Sequence, residues 1–483
     1  MRLPASLRWP IVAVVSASCA VGPTYHVPAA PVPTVAAYKE SRWGTWKVGS
    51  PSDAIPRGAW WTMFRDPELD ALEARLNVSN QTIASAVQNY LAARAQIRAA
   101  RADYFPTLTA GATAAHTSLP STTPPYLAPL EISWAPDLFG RVQNAVRQRQ
   151  FAAQVSAADL ESTRLVEQAT LAQTFFQIRG QDALQEVLDA TVAADAQIVE
   201  LTRSRYQQGL DTESTLVEAE LPLETARAQA TNVAIARTQY EHAIATLLGV
   251  PATDFSLATR SLAATPPGIP VGTPSELLER RPDIAAAERT MASANATIGI
   301  GYAAYYPSIT LSGSAGVAST TLGALLSSPT LVWSIGASAI ETLFDGGKRR
   351  ATIDVYIAAY NATVAGYRQT VLTAFQQVED YLAENGIVAH ELEQQGAAVA
   401  LAERAVVLET ARYQGGLDPY LALMVQQNAL LSARQVLVNL EVQQMTSTVL
   451  LVEALGGGWD RSQLPTVDLV SKPAPEGTRE LAH

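Results

Sequence analysis

The sequence predicts a mainly α-helical chain made of two internal repeats, each interrupted by a β-hairpin long enough to cross a bilayer. Three observations carry that prediction. Words recur at a separation of roughly 205 residues, as in Arg205-Tyr-Gln-Gln-Gly-Leu-Asp211 and Arg412-Tyr-Gln-Gly-Gly-Leu-Asp418. Long stretches carry apolar residues in a heptad pattern. Twice, immediately after a proline, the period changes from helical to two.

Composition narrows the class. The chain has 483 residues, 48% of them apolar and only 16% charged. No run of about 18 uncharged apolar residues occurs, so a single membrane-spanning helix is not predicted. A formal net charge of −11 without a Lys/Arg stripe argues against a nucleic-acid partner and suits a pore that favours cations. The sole cysteine, Cys19, excludes an internal disulfide. Arg2 and Arg8, the apolar run 11–15 and Ser16-Ala-Ser precede it, so residues 1–18 have the plan of a secretory signal. A cysteine just after such a site resembles a bacterial lipoprotein signal, in which Cys19 becomes the lipidated first residue, a covalent acyl anchor being the one non-protein group expected. Residues 19–56, rich in Pro, Ala and Val, form an extended lipid-anchored tether.

The first repeat spans 57–250. Asp66 caps its opening helix, with Pro67 in the first turn. Leu69, Leu76, Ile83, Tyr90 and Ile97 make one seam, and Leu72, Ser79, Ala86, Ala93 and Ala100 a second, small one. After Tyr104-Phe-Pro106 the residues Leu108, Ala110, Ala112 and Ala114 alternate with Thr107, Thr109, Gly111 and Thr113. That is a strand with one face to lipid and one to water, in a hairpin over about 106–136. A long helix leads from Asp137-Leu-Phe-Gly140 to a tip turn at 206–212, and a return helix, kinked by Pro222, ends near Gly249. A linker, 251–274, joins the second repeat, 275–458, whose parts are the same. Leu277, Ile284, Met291 and Ile298 form its seam, with Ala287, Ala294 and Gly301 on the small one. Its hairpin covers about 307–342, with Ile309, Leu311, Gly313, Ala315 and Val317 on the apolar face, and its tip turn 413–419. At that turn Gly416 is placed for a left-handed helix end, Asp418 for an N-cap and Pro419 for a first helical turn. The tail, 459–483, reads as irregular. Two hairpins cannot close a barrel, and open edges are not tolerated in lipid, so several protomers must share one.

The ordered words resemble the outer membrane factor family of TolC/OprM-like efflux ducts, in its NodT-type lipoprotein branch. They include Ile269-Pro-Val-Gly-Thr-Pro-Ser-Glu-Leu-Leu-Glu-Arg-Arg-Pro-Asp-Ile284, Trp60-Trp61 with Phe64-Arg-Asp-Pro67, Asp137-Leu-Phe-Gly-Arg141, Tyr306-Pro-Ser-Ile-Thr-Leu311 and Leu455-Gly-Gly-Gly-Trp459. The resemblance implies a homotrimeric outer-membrane β-barrel continued by a periplasmic α-helical coiled-coil barrel. It also implies a passive channel working with a periplasmic adaptor and an inner-membrane transporter of the resistance-nodulation-division type. Protein secretion or metal-ion export through such a duct is the alternative within the family. A poreless periplasmic scaffold is the alternative outside it, and the two alternating hairpins disfavour that reading.

The same resemblance, combined with three-fold symmetry, implies site residues. Asp418 is expected to form a carboxylate ring at a periplasmic gate, with Tyr413 and Arg412 holding the tip shut. Asp211, Arg205 and Tyr206 are the first-repeat counterparts. Gly209-Leu210 and Gly416-Leu417 are expected to meet the adaptor. No catalytic or metal-binding constellation is found: the five histidines are scattered singly, without His-Glu-x-x-His, Cys-x-x-Cys or a phosphate loop. The chain is not expected to be an enzyme.

Overall fold

The computed structural model describes residues 21–32, 38–40, 58–115, 125–262, 266–269, 276–327 and 330–473. Cys19 and the signal segment lie outside them. Asp66 caps α1 (Pro67–Ser79) by accepting from the amides of Glu68 and Leu69, with Pro67 at the first helical position. The heptad then continues into α2 (Gln81–Ala102), but not as one unbroken helix. Asn80 is extended and caps α2 through the Ile83 amide. Its side-chain amide also donates to the Leu247 carbonyl (2.9 Å), and the Ser79 hydroxyl donates to the Leu248 carbonyl (2.7 Å). Those carbonyls end the return helix α4 (Glu213–Leu247) and would otherwise lack donors.

The second repeat breaks at the matching place and for the same reason. Arg281 separates α5 (Leu277–Arg280) from α6 (Pro282–Ala303) and donates to the Ala454 carbonyl at the end of the return helix α9 (Tyr420–Ala454). Seam residues Leu69, Leu76, Ile83, Ile97, Leu277, Ile284, Met291 and Ile298 are all buried.

Between these helices lies one antiparallel sheet, with strands β1 (Thr107–Ala110), β2 (Thr113–Ala114), β3 (Tyr126–Trp134), β4 (Ser308–Ser319) and β5 (Thr330–Ile340). Its order is β1-β3-β4-β5, so the hairpins of the two repeats pair side by side, and β2 continues β1 along β3. The first strand is split because Pro129 lies opposite the gap and has no amide to donate; only its carbonyl takes the Gly111 N–H, at 3.0 Å. A short helix, α7 (Leu322–Ser327), sits between β4 and β5.

Registered residues share a face. Leu108, Ile132, Gly313 and Ile335 form one row, and Thr109, Glu131, Ser314 and Ser334 the row beside it on the other face. Leu108, Ile132, Leu331, Trp333 and Ile335 are exposed. Among the described residues, the sheet therefore offers an apolar surface that nothing covers, and its two outer strands have unpaired edges.

Two helices of 67 residues, α3 (Arg141–Gln207) and α8 (Lys348–Gln414), carry the chain away from the sheet, each about 100 Å long. The return helices α4 and α9, of 35 residues each, pack back along them. Helix α4 continues through Pro222. The main core lies around the middle of α3, where Trp60, Phe64, Phe175 and Phe176 meet Leu76, Ile178 and Leu451. Beside it Arg179, almost fully buried, bonds Glu68, Asp182 (2.9 Å) and the Ala258 carbonyl (2.6 Å). Arg237 joins through Asp182 (2.7 Å) and the Leu257 carbonyl (2.8 Å), so the linker is pinned to the first repeat by charge-assisted bonds.

Described residues near both ends of the chain, 21–23 and 467–470, pack along the helices. Asn144 and Asn295 donate to the carbonyls of Val21 and Pro23. Gly22 and Gly299 lie nearly in contact: a Cβ on Gly22 would come 2.7 Å from the Gly299 Cα. The described part of the tail, 459–473, includes a helical turn. A short helix, α10 (Val467–Val470), buries Val470 against Ile97, Val146 and Ala153.

Candidate functional site

The far end of the helices, opposite the sheet, is formed by the twin turns. Each long helix ends on a glycine in left-handed geometry, Gly209 (φ 76°) and Gly416 (φ 69°). The Leu210 amide donates to the Arg205 carbonyl and the Leu417 amide to the Arg412 carbonyl, both at 2.9 Å. The tighter bonds Gly209 to Tyr206 (2.9 Å) and Gly416 to Tyr413 (3.0 Å) complete the same helix stop. Only glycine reaches this conformation without steric cost.

Asp418 does not cap its return helix as the sequence suggested, and neither does Asp211. Thr212 caps α4, accepting from the Thr215 amide, and Pro419 occupies the N-cap of α9 without a side-chain bond. Asp418 pairs instead with Arg412, and Asp211 with Arg205 Nε at 2.7 Å. A guanidinium one turn back offers a charge-assisted bond, stronger than one more amide contact. The Arg412 hydrogen bond holds the Asp418 carboxyl below its ordinary range. Glu409 is pushed up, first by burial and then by sharing Asp418.

What joins the two turns is Tyr413. It is 2% exposed, whereas its repeat mate Tyr206 is 41% exposed. The Tyr413 hydroxyl lies 2.8 Å from Thr202 Oγ1 and donates to Asp211 Oδ2 at 3.2 Å, while Arg205 stacks over its ring at 5.1 Å. Tyr420 meets the same ring edge-on at 5.8 Å, above a cluster of Ile198, Val199, Leu223 and Leu423. The predicted set Arg205, Asp211 and Tyr413 is thus brought together within one protomer. Arg412, exposed, and Asp418, half-buried, form a separate pair, and the Tyr206 hydroxyl has no partner among the described residues. Leu210 and Leu417, 64% and 73% exposed, project at the very tip.

Sequence reasoning missed Thr202, Tyr420 and Thr212. Tyr420 had a signal, since it stands one heptad after Tyr413. Thr202 had none: it belongs to the site only because α3 lies against α8 there.

Comparison with known proteins follows the same architecture. The model of the outer membrane efflux protein family matches residues 72–250 and 273–457, one segment per repeat. The solvent efflux pump outer membrane protein SrpC of Pseudomonas putida is 33% identical over 462 residues, covering 92% of this chain and 96% of that one. The outer membrane protein OprJ of Pseudomonas aeruginosa is 30% identical over 96% of this chain and 98% of its own length. Among solved structures, the open state of the Neisseria gonorrhoeae MtrE outer membrane channel superposes with a TM-score of 0.79 at 28% identity, over 92% of this chain and 99% of that one. With a lipid-facing sheet, two long helical hairpins and these relatives, the chain belongs to the outer membrane efflux protein family and is an outer-membrane efflux channel.

Proposed function

We propose that three copies of this chain close one barrel from their four-stranded sheets. Their helices then form a periplasmic tunnel that a tripartite pump uses to pass small apolar or amphiphilic molecules out of the cell. The observation that carries this is the sheet: an apolar face and two unpaired edges cannot rest in lipid unless neighbouring copies pair with them. The channel itself is passive, and energy comes from an inner-membrane transporter of the resistance-nodulation-division type, coupled through a periplasmic adaptor. Gly209-Leu210 and Gly416-Leu417, with their protruding leucines, are the adaptor's footing. Cys19 carries the acyl anchor. Relatives are named for solvent efflux and for antibiotic efflux, which supports this substrate class.

The tip is the gate. Tyr413 bolts the second hairpin to the first through Asp211 and Thr202, and Asp418, held ionised by Arg412, supplies a carboxylate ring around the three-fold axis. Tyr206 and Arg205 complete the surface that a neighbouring copy meets. The test is single-channel conductance in planar bilayers. Tyr413→Phe combined with Arg412→Ser removes the latch hydroxyl and the partner of Asp418, and conductance rises severalfold over a nearly closed wild type. Unchanged conductance would remove the gate assignment.

A further inference from the structure

Where the second hairpin rejoins the helices, α6 ends at Ala303, β4 begins at Ser308, β5 ends at Ile340 and α8 begins at Lys348. Leu343 and Phe344 protrude there, 93% and 89% exposed, and Phe105 stands out just ahead of β1 at the start of the first hairpin. Large apolar side chains turned outward at the helix end of a membrane sheet mark the level of the bilayer interface.

Just on the helix side of that rim lies a cleft of about 970 Å³, walled by Val21–Pro23, the last turns of α6 and the first turns of α8. Tyr302, Tyr305 and Tyr306 line it. Two of these rings are fixed: Tyr306 stacks on Phe139 at 4.7 Å, and Arg349 lies over Tyr305 at 5.1 Å. Arg349 is fully engaged, bonding Asp345 (2.9 Å), Glu341 (2.7 Å) and the carbonyls of Thr342 and Ala304.

Its neighbour Arg350 is not. Arg350 and Asp354 both line the cleft and are exposed, and among the described residues neither side chain makes a hydrogen bond or ion pair. They stand four residues apart on one helix, the spacing at which opposite charges ordinarily pair. Two opposite charges left apart on the wall of a tyrosine-lined cleft are the complement of a zwitterion.

We propose that this cleft holds the headgroup of a zwitterionic aminophospholipid from the inner leaflet, with its phosphate on Arg350 and its ammonium on Asp354. The order along α8 fits such a lipid. Leu343 and Phe344, just ahead of the helix, lie at the bilayer interface, Arg350 comes next, and Asp354 sits about 6 Å further from the bilayer. In an aminophospholipid the phosphate likewise lies nearer the acyl chains, with the ammonium beyond it across an ethanolamine bridge. Tyrosine hydroxyls suit the phosphate oxygens, and tyrosine faces suit the ammonium. The proposal rests on the sheet lying in the outer membrane, but not on the gate or the pump partners.

The test uses the full chain reconstituted in nanodiscs with equal parts of phosphatidylethanolamine, phosphatidylglycerol and phosphatidylcholine. Lipid that stays bound after transfer to detergent is counted by native mass spectrometry. Wild type retains phosphatidylethanolamine in preference to the other two. Arg350→Ala lowers retention of phosphatidylethanolamine and phosphatidylglycerol together by about tenfold, as expected for the loss of a hydrogen bond to a charged group. Asp354→Asn abolishes the preference for phosphatidylethanolamine over phosphatidylglycerol while phosphatidylglycerol stays bound, so a misfolded variant cannot imitate the result. Equal retention in wild type and both variants overturns the proposal, as does a cleft filled by a neighbouring copy. Neither outcome would touch the conductance test of the channel.

Discussion

Asp195 shows how one side chain can make the tip sensitive to pH. It is buried on α3 beside the tip cluster, makes no hydrogen bond or ion pair among the described residues, and has the Tyr420 phenol in its neighbourhood. Burial pushes its pKa up to about 6, against about 3.9 for a solvated aspartate. With the pKa raised in the latched state, that state binds the extra proton. Its stability is full below about pH 4 and is lost as pH rises through about 6. If the hairpins separate on opening and water reaches Asp195, open probability rises between pH 4.5 and pH 7 in wild type. Asp195→Asn flattens that slope. Parallel pH profiles for the two proteins would show that Asp195 does not change surroundings when the channel opens.

At the scale of elements, the twin turns share a sequence and a backbone but differ in their side-chain contacts. Both stop a 67-residue helix on a left-handed glycine with the same pair of carbonyl bonds. Only the second turn sends its tyrosine inward, since Tyr413 fills the gap between the hairpins that Tyr206 leaves open. A Cβ on Gly416 would meet nothing within 4 Å, so a larger residue there is penalised by its backbone alone, at about 1 kcal/mol. Gly416→Glu is therefore expected to assemble normally while placing a charge where the adaptor is proposed to dock. Efflux measured as drug susceptibility should fall to the level of a deletion strain with the channel still in the membrane. Wild-type resistance in that variant would move the adaptor contact elsewhere.

For the whole molecule, length and closure are the testable quantities. The sheet lies at one end, the twin turns at the other, and the 67-residue helices separate them by about 100 Å. Negative-stain electron microscopy of protein extracted in mild detergent should show three-fold particles longer than about 100 Å, with a detergent belt near one end. Compact or beltless particles would mean that the sheets do not close a shared barrel.

Much of this molecule is written locally. Heptads specified the helices, alternation specified the strands, and glycines placed each turn, because each of these signals depends on neighbours a few residues away. The repeat and its ordered words identified the family from sequence alone. Tertiary structure decided what depends on contacts distant in the chain. Asn80 and Arg281 break the opening helices because carbonyls of the return helices need their donors there. Pro129 splits the first strand only because pairing places it opposite the gap. Asp418 and Asp211 act as ion-pair partners rather than caps because an arginine one turn back outcompetes the amides. Of two tyrosines in the same local sequence, packing buries one as a bolt and leaves the other on the surface.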